Sequence, residues 1–322
     1  MGLLEVRAAS VIFHKGQINA KTALHDISLA IGGKTPSVTA VVGESGSGKS
    51  TLIRLLLGFQ KPTLGEVLYD GNNIAGLTRV AARKFRREVQ AIFQDPFDAF
   101  NPFYKIDHPL VTPLRSFGLA SSRDEAYARI EKTLRSVGLV PDKTLGKYPH
   151  QLSGGQRQRI MIARALLLDP TVILADEPVS MVDASLRATI LDILYELRQD
   201  LGISLIYVTH DLTTAYQVAD TIIVLHGGQI MEVGATEKVV HDPRHAYTRA
   251  LIEAVPCPDP QVAWNLDDDI APPDAFLAGD TKLALYATEP DRAIASIAKP
   301  GERSVTAAEI QRYVALQKDI TA

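Results

Sequence analysis

An apolar run, Val38–Val42, leads directly into Gly43-Glu44-Ser45-Gly46-Ser47-Gly48-Lys49-Ser50-Thr51 and then into a segment of helical spacing, Ser50–Leu57. This passage restricts the fold more than any other in the chain. Consecutive apolar residues bounded by glycine read as a strand buried on both faces, the kind found in parallel sheets covered by helices. The loop after it fits G-x-x-x-x-G-K-[ST]. Its glycines let the main chain wrap closely around phosphate groups, and the following helix adds the positive end of its dipole. Lys49 supplies a point charge for β- and γ-phosphates, and the Ser50 hydroxyl is suited to ligating Mg²⁺. A strand–loop–helix unit of an α/β fold is therefore expected, with nucleotide phosphate at its loop.

The remaining pattern agrees with that class. Short strands are predicted at Leu3–Arg7, Leu24–Ile31 and Val67–Tyr69, the last before the turn Asp70-Gly71. From about Phe97 to Leu168 the spacing is helical. Ser122-Arg123-Asp124-Glu125 reads as a capping box opening a helix that ends near Gly138, and Ser153 opens another that Asp169-Pro170 ends. Alternation then returns: strand Val172–Ala175, helix Leu186–Asp200, strand Leu205–Val208, helix Leu212–Ala219, strand Thr221–Leu225. After Ala254 the texture changes. Pro256, Pro258, Pro260, Asp267–Asp269 and Pro272-Pro273 break regular structure, with a strand expected at Lys282–Thr288 and a last helix capped by Thr306-Ala307-Ala308-Glu309. The organisation read from this is a main domain over 1–254, its helical part at about 97–168, and a loosely built extension over 255–322.

Charge and cysteine usage remove several classes. A net charge of −3 over 322 residues provides no general basic field, so no nucleic-acid partner is expected. No apolar run reaches the length of a membrane span, and Met1-Gly2-Leu3-Leu4-Glu5 lacks the basic start and apolar core of a secretory signal. One cysteine, Cys257, excludes an internal disulfide and a cysteine-built metal cluster, which fits a reducing cytosol. Work at a membrane would then require recruitment by a partner.

Two further segments carry chemistry. Val172-Ile173-Leu174-Ala175-Asp176-Glu177 is an apolar strand ending in two carboxylates. Acids at the end of a parallel strand suit Mg²⁺ and water, with Asp176 holding the metal through water and Glu177 polarising the attacking water. Leu152-Ser153-Gly154-Gly155-Gln156, followed by Arg157-Gln158-Arg159, is a second anion site of different design. Ser153 caps a helix whose first turn holds two glycines, leaving bare N–H groups at the positive end of the dipole. Two unlike anion sites in one chain suit a nucleotide clamped from two sides.

In this order, these segments resemble the ATP-binding cassette of ABC transporters over about residues 3–255, with Leu152–Gln156 matching that family's signature motif. The resemblance implies a P-loop NTPase cassette with an N-terminal antiparallel β subdomain, a helical signature subdomain and a C-terminal extension. It implies ATP hydrolysis with Mg²⁺, and two cassettes paired head to tail. Each ATP would be enclosed by Gly43–Thr51 of one subunit and by Ser153, Gly154, Gly155 and Gln156 of the other. Gln94, after the strand Ala91–Phe93, matches the Q-loop glutamine, which reaches Mg²⁺ and the attacking water. His210, ending the strand Ile206–Thr209, matches the switch histidine that contacts the γ-phosphate. Asp183 matches the D-loop aspartate of the dimer interface, although Met181-Val182 stands where Ala-Leu is usual. Phe13 best matches the aromatic that stacks on adenine, where tyrosine is usual. The turn Gly32–Ser37 is longer than the family's and has no assigned role.

Three segments narrow the resemblance to importers of oligopeptides, dipeptides and nickel: Phe93-Gln94-Asp95-Pro96-Phe97-Asp98-Ala99-Phe100-Asn101-Pro102, Tyr148-Pro149-His150-Gln151, and Arg244-His245-Ala246-Tyr247-Thr248-Arg249-Ala250-Leu251. Ala246 departs from the usual proline of the third. This branch implies two membrane permease subunits, a second cassette that is identical or different, and indirectly a solute-binding protein. The subunit would sit peripherally on the cytoplasmic face of the inner membrane. Peptide leads as cargo, with nickel, an oligosaccharide or an opine-like compound behind it. The competing class is a soluble ABC ATPase of DNA repair or chromosome structure. Those carry a long coiled coil between phosphate loop and signature, and no sustained heptads lie there in this chain.

Overall fold

The computed structural model describes residues 2–255, 283–289 and 292–297. Cys257, Asp267–Asp269 and the expected last helix lie outside the described residues. The elements run β1 (Leu3–Phe13), β2 (Lys21–Gly32), β3 (Val38–Val42), α1 (Lys49–Leu56), β4 (Leu64–Tyr69), β5 (Asn72–Asn73), α2 (Arg79–Glu88), β6 (Val89–Ile92), α3 (Asp107–Phe117) and α4 (Arg123–Ser136). They continue with α5 (Gly154–Leu166), β7 (Val172–Asp176), α6 (Ala184–Gln199), β8 (Ser204–Thr209), α7 (Leu212–Val218), β9 (Thr221–His226), β10 (Gln229–Ala235), α8 (Thr236–His241), α9 (Ala246–Glu253), β11 (Leu283–Glu289) and β12 (Arg292–Ile297). The chain forms two compact units. One comprises the described residues of Met1–Leu4 with Gly32–Pro36 and Tyr69–Val208, the other Glu5–Ile31, Ser37–Leu68 and the described residues from Thr209 onward.

The unit that carries the phosphate loop is built on β3. All five residues of β3 are buried, as expected of a strand covered on both faces. It pairs in parallel with β9, Thr39 opposite Thr221 and Val42 opposite Val224. β9 turns back into β10 through Gly227 and Gly228, both at positive φ (51° and 78°), the conformation a tight two-residue hairpin requires. The strand order continues from β10 to β12 and β11. Where a loosely built extension is expected, β11 and β12 form an antiparallel hairpin, and β12 pairs with β10 (Glu232 opposite Ile294). A buried ion pair lies beside this pairing. Arg292 and Glu232 have fully buried side chains with Nε and Oε1 3.3 Å apart, and Arg292 also donates to the Lys238 carbonyl. The same unit holds the N-terminal antiparallel sheet, ordered β2-β1-β4.

In the other unit β6, β7 and β8 run parallel. Ile92 lies opposite Ala175, and Asp176 lies opposite Val208. This register brings the C-terminal ends of the three strands to one edge, where parallel sheets place ligands. Helices α3, α4 and α5 form the expected helical part, burying Leu110, Leu114, Ile130, Leu134, Ile160 and Met161. The cap read at Ser122 is present: Ser122 Oγ accepts the Glu125 N–H at 3.1 Å. The Glu125 carboxylate takes the Ser121 N–H at 2.6 Å, one residue earlier than the reciprocal partner of a capping box.

Candidate functional site

The phosphate loop keeps its shape through glycines with no room for a side chain. A Cβ on Gly43 would lie 2.1 Å from the Leu225 carbonyl oxygen, and one on Gly48 2.6 Å from that of Ala23. Gly48 also stands at φ 109°, where it opens α1. Lys49 is only 6% exposed and donates from Nζ to the carbonyls of Gly43 (2.8 Å) and Glu44 (2.7 Å). Its ammonium is thus held within the loop. Ser47 Oγ is buried with no hydrogen-bond partner among the described residues. An unsatisfied hydroxyl beside a buried ammonium at a helix N-terminus is the environment an anionic oxygen satisfies. Glu44, Ser45, Gly46 and Ser50 are exposed, and Thr51 is half-buried.

In the other unit the strand ends deliver Gln94, Asp176 and Glu177 together. Gln94 follows β6 and donates from Nε2 to Glu177 Oε2 at 3.1 Å. Glu177 follows β7 at φ 45°, a left-handed conformation rare for glutamate. Such a backbone persists only where its surroundings hold it. Here the Glu177 N–H donates to the Val208 carbonyl at 2.9 Å, and the Ser180 hydroxyl donates to the Glu177 carbonyl at 2.9 Å. The carboxylate is therefore aimed from both its side chain and its main chain. Asp176 ends β7 half-buried.

The segment Leu152–Gln156 differs in one respect from the bare helix start expected. Ser153 Oγ accepts the Gln156 N–H at 3.3 Å, and Gln156 Oε1 accepts the Ser153 N–H at 3.0 Å. A reciprocal capping box thus satisfies two donors. The N–H groups of Gly154 and Gly155 stay beyond the reach of intrahelical acceptors. A Cβ on Gly155 would lie 2.5 Å from Leu186 Cδ1, so any larger residue would push the tip of that half-buried leucine aside. The Arg157 guanidinium lies 4.2 Å over the ring of Phe97, tying the signature helix to the segment after Gln94. Asp183 starts α6, its carbonyl accepting from Leu186 (2.9 Å) and Arg187 (3.1 Å).

His210, directly after β8, is exposed. Asp211 Oδ1 caps α7 by accepting the Thr213 N–H at 2.9 Å, which fixes the backbone beside it. Phe13 ends β1 and is 37% exposed, so its ring is a surface group and not a core one. His226 and Tyr247 were not read as site residues, yet both touch the phosphate loop. The strand pattern held a signal for His226. It ends β9, and β9 runs parallel to β3, so it reaches the same edge as the loop.

A P-loop leaving a buried parallel strand, a carboxylate pair at the end of another, and a glycine-rich capped helix define an ATP-binding cassette. The chain belongs to the ABC transporter ATPase family: residues 24–180 match the family model described as ABC transporter. Residues 231–274 match a second model, the oligopeptide/dipeptide transporter C-terminal region. The chain is 43% identical over 225 residues to the oligopeptide transport ATP-binding protein OppF of Escherichia coli, covering 70% of this chain and 67% of that one. It is 38% identical over 257 residues to OppF of Haemophilus influenzae, covering 80% and 76%. Among solved structures it is similar to cbiO1 of Clostridium perfringens, part of the ABC transporter complex cbiONQ (TM-score 0.64, 28% identity, 74% of this chain and 90% of that one). It is equally similar to a dimeric ATP-binding cassette in a post-hydrolysis state bound to ADP and Pi (TM-score 0.64, 29% identity, 72% and 98%). Among the described residues no helix is long and apolar enough to cross a membrane.

Proposed function

We propose that this chain powers the uptake of oligopeptides or dipeptides, as the ATP-hydrolysing subunit of an importer with two membrane permease subunits and a second cassette. The match of residues 231–274 to the oligopeptide/dipeptide transporter C-terminal region carries this reading, because it separates the peptide branch from cassettes in general. The OppF relatives support it. The permease subunits would hold the chain at the cytoplasmic face of the inner membrane, and a solute-binding protein would deliver the cargo to them.

In this reading Lys49 leaves the carbonyls of Gly43 and Glu44 to hold β- and γ-phosphates, while the N–H groups from Gly46 to Thr51 cradle them. Phe13 stacks on adenine. Glu177 accepts a proton from the attacking water. Gln94 steadies Glu177 through the hydrogen bond present in the structure. His210 donates to the γ-phosphate. Ser153, Gly154 and Gln156, in the segment that includes Gly155, face the γ-phosphate of the ATP on the other cassette, and Asp183 orders that interface. No cluster of three or more His, Cys, Asp or Glu among the described residues could hold a metal by itself. Ser50, Asp176 and Gln94 each offer a hard oxygen donor. They fit Mg²⁺, which keeps water and phosphate ligands. When bound, Mg²⁺ neutralises charge developing on the phosphates.

Co-purification of the full chain from membranes tests the proposal. The expected result is recovery of two permease subunits, a second cassette and ATPase activity stimulated by a peptide-loaded binding protein. Stimulation only by nickel, an oligosaccharide or an opine-like compound would reassign the cargo. Recovery with chromatin would overturn the transport reading.

A further inference from the structure

Glu44, in the phosphate loop, is held at three points. Its N–H donates to the Tyr247 hydroxyl oxygen at 3.3 Å. Its carbonyl accepts from Lys49 Nζ at 2.7 Å. Its Oε1 lies 2.7 Å from His226 Nδ1. The His226 ring packs against that of Tyr247, with centroids 4.2 Å apart and planes 35° apart. Both residues are almost wholly buried, at 3% exposure each. Two residues further on in the β9–β10 turn, the Gly228 N–H donates to the Ser47 carbonyl at 2.9 Å. The loop is thus braced from outside by β9, its turn and the first turn of α9.

Tyr247 is itself fixed. The buried Glu232 carboxylate accepts the N–H groups of Arg244 (3.2 Å) and His245 (3.0 Å). His245 Nδ1 then accepts the Tyr247 N–H at 3.1 Å and caps α9. Burial, helped by His226 and Arg249, lowers His245 to about 4, so it stays the neutral acceptor this cap needs. The segment lies within the region that matches the oligopeptide/dipeptide transporter C-terminal model.

We propose that Tyr247 and His226 are positioning residues for the phosphate loop, holding the Glu44 peptide so that the cradle is formed before nucleotide arrives. This rests on reading Gly43–Thr51 as the ATP site. A glycine-rich loop has many conformations to lose, and ordering it in advance lowers the entropy lost on binding. The tyrosine hydroxyl matters separately from the ring: it accepts an N–H that phenylalanine would leave unsatisfied.

The test measures ATP affinity of the full chain by calorimetry, and kcat and KM in the assembled transporter. Loss of one such hydrogen bond corresponds to a two- to tenfold change. Tyr247→Phe is therefore expected to raise the ATP Kd and KM by about two- to tenfold. Its kcat should stay within roughly twofold, and its nucleotide-free unfolding temperature should fall by no more than the loss of one hydrogen bond allows. His226→Gln, which keeps a polar side chain beside the Glu44 carboxylate, should bind ATP more tightly than His226→Leu. Unchanged Kd and KM in Tyr247→Phe, or equal affinities for the two His226 variants, would overturn the proposal while wild-type binding and its loss in Lys49→Ala preserve the ATP-site reading. Absence of ATP binding by the wild-type chain would overturn both.

Discussion

The phosphate loop and the signature segment both present main-chain N–H groups at a helix start, yet they are held in opposite ways. The loop is shaped by residues far away in sequence. Leu225 and Ala23 forbid side chains at Gly43 and Gly48, Gly228 takes the Ser47 carbonyl, and Tyr247 takes the Glu44 N–H. The signature segment is held locally, Ser153 and Gln156 satisfying each other across three residues. Ser153 is exposed, and its hydroxyl, while accepting the Gln156 N–H, keeps its own proton to donate to a phosphate oxygen. The first is a finished cradle. The second is a stable helix start whose ligand has to be brought to it, which suits half of a site completed by another subunit.

Predictions that break or sharpen this contrast run from large to small. Glu177→Gln should lower ATP hydrolysis by about 10²–10⁴-fold, the range for loss of a general base. ATP binding should survive and a closed pair of cassettes should accumulate on size exclusion. Full turnover would remove Glu177 from its role. Lys49→Ala strikes the finished cradle, removing a charge-assisted contact. Calorimetry should show ATP affinity falling about 10- to 100-fold. Gly155→Ala strikes the signature helix mainly through packing, since its Cβ would meet the Leu186 tip at 2.5 Å. Overpacking is partly offset by the helix propensity alanine gains over glycine, for an expected net cost of about 1 kcal/mol in denaturant unfolding.

The smallest effect concerns the support behind Tyr247. His245 has its folded pKa lowered to about 4 from 6.5. It contributes stability that is fully present above its unfolded value and lost as pH falls from about 6.5 towards 4. His245→Asn keeps a side-chain acceptor at the cap but does not titrate there. Its unfolding temperature should fall less steeply than wild type across that window, and an identical slope would exclude His245 as the source.

What the sequence made legible follows from this contrast. Locally determined features read correctly: β3 from its apolar run, the helix after Gly48, the caps at Ser122 and Ser153, and β7 with its terminal carboxylates. Features set by long-range contacts did not. β10 hides its character because Glu232 sits in the middle of a buried strand, a position explained by Arg292, sixty residues later, and by the N–H groups of Arg244 and His245. β12 is hidden for the same reason. The positive φ of Glu177 depends on its bond to Val208 on the neighbouring strand, which no local pattern announces. Tyr247 could be matched to a motif but not to Glu44, because their hydrogen bond joins residues 203 positions apart.

The most direct test of a shared site compares ATP-dependent association of the Glu177→Gln chain, prepared with any cassette that co-purifies, with and without Ser153→Arg. Light scattering reports the association, and calorimetry reports ATP affinity of the isolated chain. Glu177→Gln is expected to form a two-cassette species with ATP. Adding Ser153→Arg should abolish that species and leave the affinity of the isolated chain within about twofold, since the substitution lies outside its own phosphate cradle. Loss of ATP binding by the isolated Ser153→Arg chain, or undiminished association, would contradict the account.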